Sequence, residues 1–509
     1  MSADSEPPPT DSLGSRVDAR RREAMAALDV DAQRTLGQFF TSKSAADLVA
    51  MMPQLLDRGT MRVLDPGAGV GSLTAALVER AIREAPSLSL ELVAVELDVC
   101  VVPQLQETLT DCVKEGARHG MTIDTQLLQM DFLLDGVEAL FGDTPLSNGF
   151  DFVIMNPPYA KLPANSRERK AMSKLGWECP NTYAAFMAMG MELLKPGGQM
   201  TAIVPRSFAN GSYFERFRQR LVGASAIRRV HTFESRSAVF AEMGVLQENV
   251  IITTERDGRR GVVDLTFSRS HDDKALNRSV PHTAVVDPKD PKVLIRIPNK
   301  DCTLPASAQQ TINDLGVAVS TGKVVEFRCS EFIVDEPNDG TVPFIYPANV
   351  RGGIIEWPRD CGKPQAFKSD TDTASKHLLP PGCYVVIKRF SAKEERRRVV
   401  AAVWEGDTGV AFENHLNIVH DRGHGIDLDL AIGISYWLNS TVLDRNFREF
   451  SGHTQVNAGD LRMLPFPPTF NLRSLGRAVP ARLPNQSMID YLVAEALLKN
   501  ETCESNSGG

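Results

Sequence analysis

The sequence of 509 residues has no unbroken apolar run approaching the roughly 18 residues that a membrane-spanning helix needs. Its first residues lack the basic stretch followed by an apolar run that marks a secretory signal. The eight cysteines are scattered, and none stands in a CxxC pair that could begin a zinc site. These absences predict a cytoplasmic protein with free thiols, no membrane segment and no bound metal.

Positive charge is also in short supply, because the formal net charge is -8 at neutral pH. This balance argues against a protein that coats nucleic acid through bulk charge, since phosphate contacts need Lys and Arg. It does not exclude a locally basic cleft, because acidic residues elsewhere can set the total. The length predicts two or more domains.

Between residues 61 and 256, short Val, Ile and Leu runs alternate with helical stretches. This pattern is typical of an α/β domain, in which helices wrap a parallel sheet. The predicted strands span residues 61–64, 91–95, 125–130, 150–155, 199–204, 227–233 and 249–253. The predicted helices span residues 44–56, 72–83 and 183–194, and the last of these closes on a Lys-Pro-Gly-Gly turn at residues 195–198.

Charged and Pro-containing segments from residue 257 to residue 300 suggest a junction, after which β-like runs mix with turns. A helix is predicted over residues 428–438, and the last residues, from 501, are rich in Ser and Gly. We therefore predict a disordered lead (residues 1–30), an α/β catalytic domain (31–270), a smaller α+β domain (271–485), and a C-terminal helix with a mobile tail (486–509).

A Gly-rich turn follows the first predicted strand, where residues 63–72 read VLDPGAGVGS. Gly67 and Gly69 allow the backbone to approach a ligand closely, and Asp65 stands at the end of the strand. The spacing is GxGxG, whereas dinucleotide sites use GxGxxG. A dinucleotide site and a plain strand-to-helix turn are the alternatives at this point.

Two further strand ends supply side chains suited to a nucleoside. Glu96 follows the second strand, about where a ribose diol would lie, although a surface acid is the alternative. Asp131 follows the third strand and is placed to accept from an adenine amino group, while Phe132 can cover the ring. Taken in this order, the motifs resemble class I S-adenosylmethionine methyltransferases, with their Rossmann-like fold.

The fourth predicted strand ends in Asn156-Pro157-Pro158-Tyr159, the strongest signal in the chain. An exocyclic amine is a poor nucleophile, so a catalyst should accept its protons, as Asn156 Oδ1 and the Pro157 carbonyl can. Pro158 has no N–H to compete for that carbonyl, and Tyr159 offers a face for a base taken out of the duplex. A rigid Pro-Pro turn is one alternative, and protein glutamine methyltransferases resemble this motif too.

Ahead of the first strand stands Gly-Gln-Phe-Phe-Thr at residues 37–41, which resembles the N-terminal motif of gamma-class N6-adenine DNA methyltransferases. Among these, the PstI-type modification methylases of type II restriction systems are the most similar group. The resemblance implies that Thr41 contacts the methionine carboxylate, although capping of the next helix is the alternative. It also implies that Phe240 stacks on the flipped base; Phe233 and a core role for Phe240 are the alternatives.

The resemblance covers nearly the whole chain and implies a monomeric enzyme that methylates adenine N6 in double-stranded DNA with S-adenosylmethionine. A restriction endonuclease acting on the same site, without direct contact, is the implied partner. The C-terminal region would then be a target-recognition domain. Methylation of protein glutamine or RNA, and an inactive DNA-binding module, are the remaining hypotheses.

Two segments of the second domain are candidates for DNA contacts. The first is a basic run that could equally be a solvated face, and the second is a loop before a capping-box pattern, which could hold a phosphate or merely cap its helix. The candidate residues are Lys388, Arg389, Lys393, Arg396, Arg397 and Arg398 in the run, and His453, Thr454 and Gln455 in the loop.

Overall fold

The computed structural model describes residues 12–27, 40–233, 249–268, 276–297, 305, 307–391, 396–450, 455–480 and 482–504. The chain divides into two compact units, the first ending at Pro298 and the second beginning at Asn299. Each unit has hydrophobic clusters of its own, as expected for a chain too long to share one core.

The first unit alternates strands with helices over most of its length. Its strands are β1 (Gly59–Pro66), β2 (Leu88–Glu96), β3 (Ile123–Gln129), β4 (Phe150–Met155), β5 (Leu194–Pro205), β6 (Ser225–Phe233), β7 (Asn249–Arg256), β8 (Val262–Ser268) and β9 (Leu276–Pro281). Its helices are α1 (Leu13–Ala27), α2 (Lys43–Met51), α3 (Ser72–Glu84), α4 (Val102–Arg118), α5 (Leu134–Ala139), α6 (Arg167–Lys174), α7 (Thr182–Leu193), α8 (Glu215–Ala224) and α9 (His282–Val285), with 3₁₀ turns at Arg206–Ala209 and Ser212–Phe214.

These strands form one sheet in the order β3-β2-β1-β4-β5-β7-β6-β8-β9. The first five strands of that order pair in parallel, and β7 runs antiparallel between β5 and β6. The strand order reverses at β1, which has β2 on one side and β4 on the other. Because ligands bind outside the carboxyl ends of strands at such a switch point, this edge of the sheet is where a site is expected.

Both faces of the sheet are buried. Because side chains alternate along each strand, successive residues pack into different clusters. Val63 and Phe152 belong to a cluster with residues of α2 and α3, whereas Leu64 and Val153 belong to a cluster with residues of α7. The α/β prediction is confirmed, and the strand predicted at residues 150–155 has the same bounds in the structure.

The predicted disordered lead is wrong for residues 13–27, which form α1. Leu13, Val17 and Ala24 recur at helical spacing and are buried in a cluster that includes residues of α3. On the same helix, Arg20 pairs with Asp111 of α4 at 2.5 Å. The few apolar residues of this polar segment therefore fall on one face, which is enough to hold the helix against the unit.

The boundary between the units also lies later than the predicted residue 270. β8 pairs with β6, and β9 pairs with β8, so this segment extends the first sheet. Farther along, Ile295 N donates to Ala209 O at 2.9 Å. The charged and Pro-containing texture that suggested a junction belongs to the surface of the first unit.

Several element ends differ from the predictions. α2 ends at Met51 instead of residue 56. α7 ends at Leu193. Residues 195–198 lie within β5, where the register with β4 shifts: Phe150 pairs with Leu194, whereas Phe152 pairs with Gln199. The last helix runs to Glu504, into the segment predicted to be a mobile tail.

The second unit is α+β, as predicted, with two sheets in the orders β10-β20-β17-β18-β14-β13 and β11-β15-β12-β19-β16. Its strands are β10 (Ala318–Thr321), β11 (Ile333–Val334), β12 (Thr341–Ile345), β13 (Val350–Arg351), β14 (Ile354–Ile355), β15 (Ala366–Lys368), β16 (Leu378–Leu379), β17 (Gly382–Lys388), β18 (Ala401–Gly406), β19 (Val410–Phe412) and β20 (Leu416–His420). Its helices are α10 (Asp372–Ser375), α11 (Leu428–Leu438), α12 (Thr441–Phe450), α13 (Ala458–Leu461), α14 (Thr469–Ala478) and α15 (Gln486–Glu504), with 3₁₀ turns at Glu326–Arg328, Ser330–Phe332 and Pro347–Asn349.

The helices α11 and α14 touch backbone to backbone. A Cβ atom on Gly433 would come within 1.9 Å of Leu472 O, and one on Gly476 would come within 1.8 Å of Asp429 O. No larger side chain fits at either position unless the helices separate, so these two glycines set the spacing of the pair.

Three expectations drawn from absences concern the whole chain. The six described cysteines are free thiols, as predicted, and burial raises the pKa of Cys179 and of Cys383 to about 12. Within the described ranges no group of three or more His, Cys, Asp and Glu side chains could hold a metal ion. The described helices include none with the length and apolar character that crossing a bilayer requires.

Candidate active site

A cavity lies where four neighbouring strands of the first unit end. β3, β2, β1 and β4 are consecutive in the sheet, so the residues that follow them lie side by side. The cavity has a volume of about 350 Å³, and its mainly apolar wall with a few polar groups is typical of small-molecule sites. The predicted site residues that line it are Gly67, Gly69, Glu96, Asp131, Phe132, Asn156 and Pro158.

The turn between β1 and α3 depends on glycine. Gly67 and Gly69 have φ angles of 69° and 57°, in the left-handed region that other residues rarely adopt. A Cβ atom on Gly67 would lie 3.3 Å from the ring of Phe186, and one on Gly69 would lie 3.2 Å from the ring of Phe40. The turn therefore presents bare backbone to the cavity between two aromatic rings.

Glu96 joins this turn to the end of β2. Its Oε2 atom accepts a hydrogen bond from Gly69 N at 2.8 Å, and its Oε1 atom accepts from Leu97 N at 2.8 Å and Asp98 N at 2.9 Å. The side chain is only 7% exposed and lines the cavity. Two carboxylate oxygens offer about four acceptor positions, so the group can hold the turn and still accept from a ligand.

At the end of β3, Asp131 and Phe132 form the next part of the wall. Asp131 Oδ1 accepts from Leu133 N and Leu134 N, both at 2.9 Å, and so begins α5. The ring of Phe132 is buried and lies 5.0 Å from the ring of Phe186. An acceptor beside a pair of aromatic rings is suited to a flat nitrogen heterocycle.

Asp65, which the sequence placed with the cofactor residues, is not in the cavity wall. Its Oδ2 atom accepts from Thr74 Oγ1 at 2.6 Å, whereas no atom of the described residues hydrogen-bonds to Oδ1. Burial raises the pKa of Asp65 to about 7, and the nearby charge of Glu96 adds to the shift. The carboxyl group lies behind the Gly-rich turn, where it holds the first turn of α3.

The side chain of Asn156 is held at both ends of its carboxamide. Asn156 Nδ2 donates to Thr41 Oγ1 at 2.9 Å, and the Tyr159 hydroxyl donates to Asn156 Oδ1 at 3.0 Å. The same hydroxyl lies 3.2 Å from Ile203 O. Thr41 is buried and, like Asp65, does not line the cavity. The structure thus brings Thr41 to the predicted catalytic loop.

The loop that follows β4 is fastened to the beginning of α7. The Thr182 hydroxyl donates to Pro158 O and, at 3.1 Å, to Ala160 O, while Thr182 N donates to Ala160 O at 2.9 Å. Farther along, Leu162 N donates to Pro180 O at 3.2 Å. The loop is therefore held by hydrogen bonds from a second element in addition to its own covalent path.

The catalytic motif offers oxygen atoms that accept hydrogen bonds without being strong bases. Asn156 Oδ1 and the Pro157 carbonyl are neutral oxygens, and none of the described residues donates to that carbonyl. Burial raises the pKa of Tyr159 well above its usual value, so its hydroxyl stays protonated. The arrangement suits a neutral amine that needs its protons held and its lone pair freed, more than a substrate that must first be deprotonated.

Sequence reasoning missed several residues of the cavity wall, namely Phe40, Leu162, Glu168, Thr182 and Phe186. Phe40 could have been found, because it stands in the motif at residues 37–41 directly before Thr41, which the sequence did assign to the site. Phe186 belongs to an almost wholly buried helix, where its apolar pattern indicates core packing and nothing more.

Four predicted residues, Phe240, Lys393, His453 and Thr454, lie outside the described part of the chain. Phe233, the alternative to Phe240, ends β6 half-buried, with its ring 4.7 Å from that of His231.

The basic run of the second unit is not a uniform charged edge. Arg398 is 1% exposed, its Nε atom donates to Ser391 Oγ at 3.1 Å, and its guanidinium lies 5.7 Å from the ring centre of Phe447. The prediction that Arg398 contacts DNA is therefore wrong, because its side chain is enclosed. Arg397 is half-buried and donates to Asn439 O at 3.3 Å, and burial lowers its pKa. Arg396 is exposed.

The other end of the run lies beside the second candidate loop. Phe390 forms an antiparallel bridge with Gln455, and Val456 N donates to Arg389 O at 2.7 Å. Lys388 and Arg389 are half-buried. The two segments proposed separately from the sequence are thus neighbours in the second unit.

The capping-box pattern that follows Gln455 is present in the structure. Asn457 N donates to Asp460 Oδ2 at 2.9 Å, at the beginning of α13.

Comparison with known proteins places these features in context. The family model described as Eco57I restriction-modification methylase matches residues 103–240. The type II methyltransferase M.BsuBI of Bacillus subtilis is 39% identical over 484 residues, covering 91% of this chain and 94% of that protein. The type II methyltransferase M.PstI of Providencia stuartii is 35% identical over 501 residues, covering 96% and 97%.

Among solved structures, the type IIL restriction-modification enzyme MmeI in complex with DNA is similar with a TM-score of 0.55. The similarity covers 95% of this chain and 78% of that one at 11% identity, so it bears on the fold alone.

Proposed function

The chain belongs to the type II DNA methyltransferases of restriction-modification systems, and from this premise we propose that it transfers the methyl group of S-adenosylmethionine to adenine N6 in duplex DNA. The observation that carries the proposal is the placement of the Asn156 carboxamide in the wall of the cavity that Glu96 and Asp131 also line. A cofactor-sized cavity and a pair of amine acceptors then form one continuous site.

The cavity residues fit the cofactor. The backbone turn at Gly67 and Gly69 forms a cradle that a Cβ atom would fill, which leaves room for a methionine chain close to the main chain. Glu96 is suited to accept from a ribose diol, and Asp131 from an adenine amino group, with Phe132 against the ring. When bound, S-adenosylmethionine supplies an electrophilic methyl group on a positively charged sulfur.

The protein's part in the reaction is to hold the amine. Asn156 Oδ1 and the Pro157 carbonyl accept hydrogen bonds from the two N–H groups of the amine, which turns its lone pair out of the ring plane and toward the methyl group. Bound S-adenosylmethionine would supply the methyl group to that lone pair and leave as a neutral thioether, and one proton of the nitrogen would pass to water. This needs no strong base, in keeping with Tyr159, which is hydrogen-bonded to Asn156 and stays protonated.

The choice of adenine over cytosine rests on resemblance and on stacking area. Asn at the first position of the catalytic motif, with the residue 37–41 motif ahead of the cofactor strands, is typical of adenine-modifying enzymes. Tyr159 and Phe240 would cover a purine more fully than a pyrimidine, and base–aromatic stacking is worth about 1 to 3 kcal/mol per base.

The second unit is proposed to contact the DNA, with the exposed Arg396 and, at the other end of the run beside Phe390, Gln455 as candidate contacts. MmeI, a fold relative, has been solved in complex with DNA, and we propose duplex DNA as the partner of this chain. We further propose that the chain acts as a monomer. An endonuclease of the same specificity would cleave the unmethylated DNA site without binding to this chain.

Nucleoside mass spectrometry tests the proposal directly. The purified chain is incubated with S-adenosylmethionine and genomic DNA that lacks adenine and cytosine methylation, and the DNA is digested to nucleosides. We expect N6-methyladenine with the parent chain and, over the same reaction time, about 10²- to 10³-fold less with Asn156→Ala. N4-methylcytosine without N6-methyladenine would overturn the choice of base, and no modified nucleoside with any DNA would overturn the proposed function.

A further inference from the structure

Thr41 lies against the catalytic loop and not in the wall of the cofactor cavity. It is 6% exposed, and its hydroxyl accepts from Asn156 Nδ2 at 2.9 Å. Its chain neighbours are fixed. Phe40 lines the cavity against the Gly-rich turn, and Ser42 O accepts from Ala46 N at 2.9 Å as α2 begins. The chain is therefore fixed on both sides of Thr41.

A carboxamide needs such a partner, because its oxygen and nitrogen ends are nearly equal in shape. The last torsion of Asn has two broad minima, and rotation between them exchanges Oδ1 with Nδ2. If Asn156 turned over, its N–H₂ group would face the amine, and two donors would meet. Thr41 Oγ1 accepts at the nitrogen end and Tyr159 donates at the oxygen end, and these two hydrogen bonds hold the carboxamide in an orientation in which Oδ1 can accept from the amine.

We propose that Thr41 is a positioning residue for the Asn156 carboxamide, acting on methyl transfer through Asn156 and not through contact with the cofactor. The inference rests on the proposed function, because it assigns Asn156 the role of amine acceptor. It assigns Thr41 differently from the family resemblance, which implies contact with the methionine carboxylate. The two roles differ in which measured quantity changes when the hydroxyl is removed.

The test compares Thr41→Val, which keeps the shape and removes the hydroxyl, with Thr41→Ser, which keeps the hydroxyl. Thr110→Val is the matched control, because Thr110 is exposed on α4 and donates only within its own helix. Single-turnover methyl transfer to duplex DNA is measured at saturating S-adenosylmethionine, and the Kd of the cofactor is measured by calorimetry without DNA.

Loss of one net hydrogen bond predicts a roughly three- to tenfold lower single-turnover rate for Thr41→Val. We expect its cofactor Kd to stay within about twofold of the parent value, since loss of a direct hydrogen bond to the cofactor would typically raise Kd by more than that. Thr41→Ser should recover most of the rate. A Kd that rises in step with the loss of rate would overturn the inference in favour of direct cofactor contact. An unchanged rate would overturn it as well.

A second measurement does not depend on activity. The thermal midpoints of Thr41→Val, Asn156→Ala and the double variant of the full chain form a double-mutant cycle. If the two side chains are coupled, the combined shift is smaller than the sum of the single shifts, and an additive result would overturn the inference. The cycle gives this answer even if the parent chain methylates no DNA, which is the outcome that would instead refute the proposed function.

Discussion

Replacement of Glu96 tests the cofactor half of the site most sharply. Its carboxylate accepts from Gly69 N, Leu97 N and Asp98 N at 2.8 to 2.9 Å, and under the proposed function it also accepts from the ribose diol. Glu96→Ala removes the ribose contact and releases the turn, so we expect cofactor affinity to fall by about 1 to 3 kcal/mol. That is a roughly five- to 150-fold higher Kd.

Calorimetric titration with S-adenosylhomocysteine, the stable product, measures this Kd without turnover. Asp124→Ala is the control, because Asp124 is an exposed acid on β3 of the same sheet. A release of the turn alone would weaken every analogue equally, so the titration is repeated with the 2′-deoxy analogue. We expect the parent chain to prefer the ribose form and Glu96→Ala to lose that preference. Unchanged affinity, or an unchanged preference, would refute the assignment of Glu96 to the ribose.

Four further outcomes follow from the same geometry. Asn156→Ala should lower the rate of methyl transfer on the order of 10²- to 10³-fold with little change in calorimetric cofactor Kd, and a parallel loss of both would point to a collapsed loop. Asp65 has its pKa raised to about 7, so its contribution to stability is fully present below the unfolded value near 4 and is lost as pH rises through 7; between pH 5 and pH 8, Asp65→Asn should remove about 3 kcal/mol of this dependence, measured by urea unfolding at the two pH values. Arg396→Ala should lower DNA affinity and reduce the slope of its salt dependence by about one unit, whereas the enclosed Arg398 should, when changed to Ala, lower the thermal midpoint instead; the reverse pattern would contradict the burial. With 2-aminopurine at the target base, Phe240→Ala should change the fluorescence rise on binding, and a signal equal to that of the parent would return Phe240 to the core.

The parts of the fold that were predictable from sequence are those fixed by local pattern. The strand over residues 150–155 is apolar on both faces and ends in a proline pair, so its bounds could be predicted from its own residues. The helix over residues 13–27 was not predictable, because Leu13 and Val17 are buried in a cluster with residues of α2 and α3, which follow later in the chain. Likewise, nothing local indicates that Gly433 and Gly476 must meet across two helices.

For the site, the sequence predicted which residues follow the strands but not which way each side chain turns. Glu96 and Asp131 lie at the cavity, because parallel strands end at a common edge. Asp65 stands at the same edge and yet turns behind the Gly-rich loop, toward Thr74. The same holds for Arg398 in the second unit, since the sequence of a basic run does not indicate which of its Lys and Arg side chains is buried.

The fastening of the catalytic loop to α7 has a consequence for how the reaction begins. Because Thr182 and Pro180 hold the loop at Pro158, Ala160 and Leu162, its shape does not wait for a substrate. Under the proposed function, the nucleic acid must unstack and turn one base outward to reach this loop, at a cost of a few kcal/mol. The sequence-dependent ease of opening the duplex would then enter the choice of target alongside the contacts that read its bases.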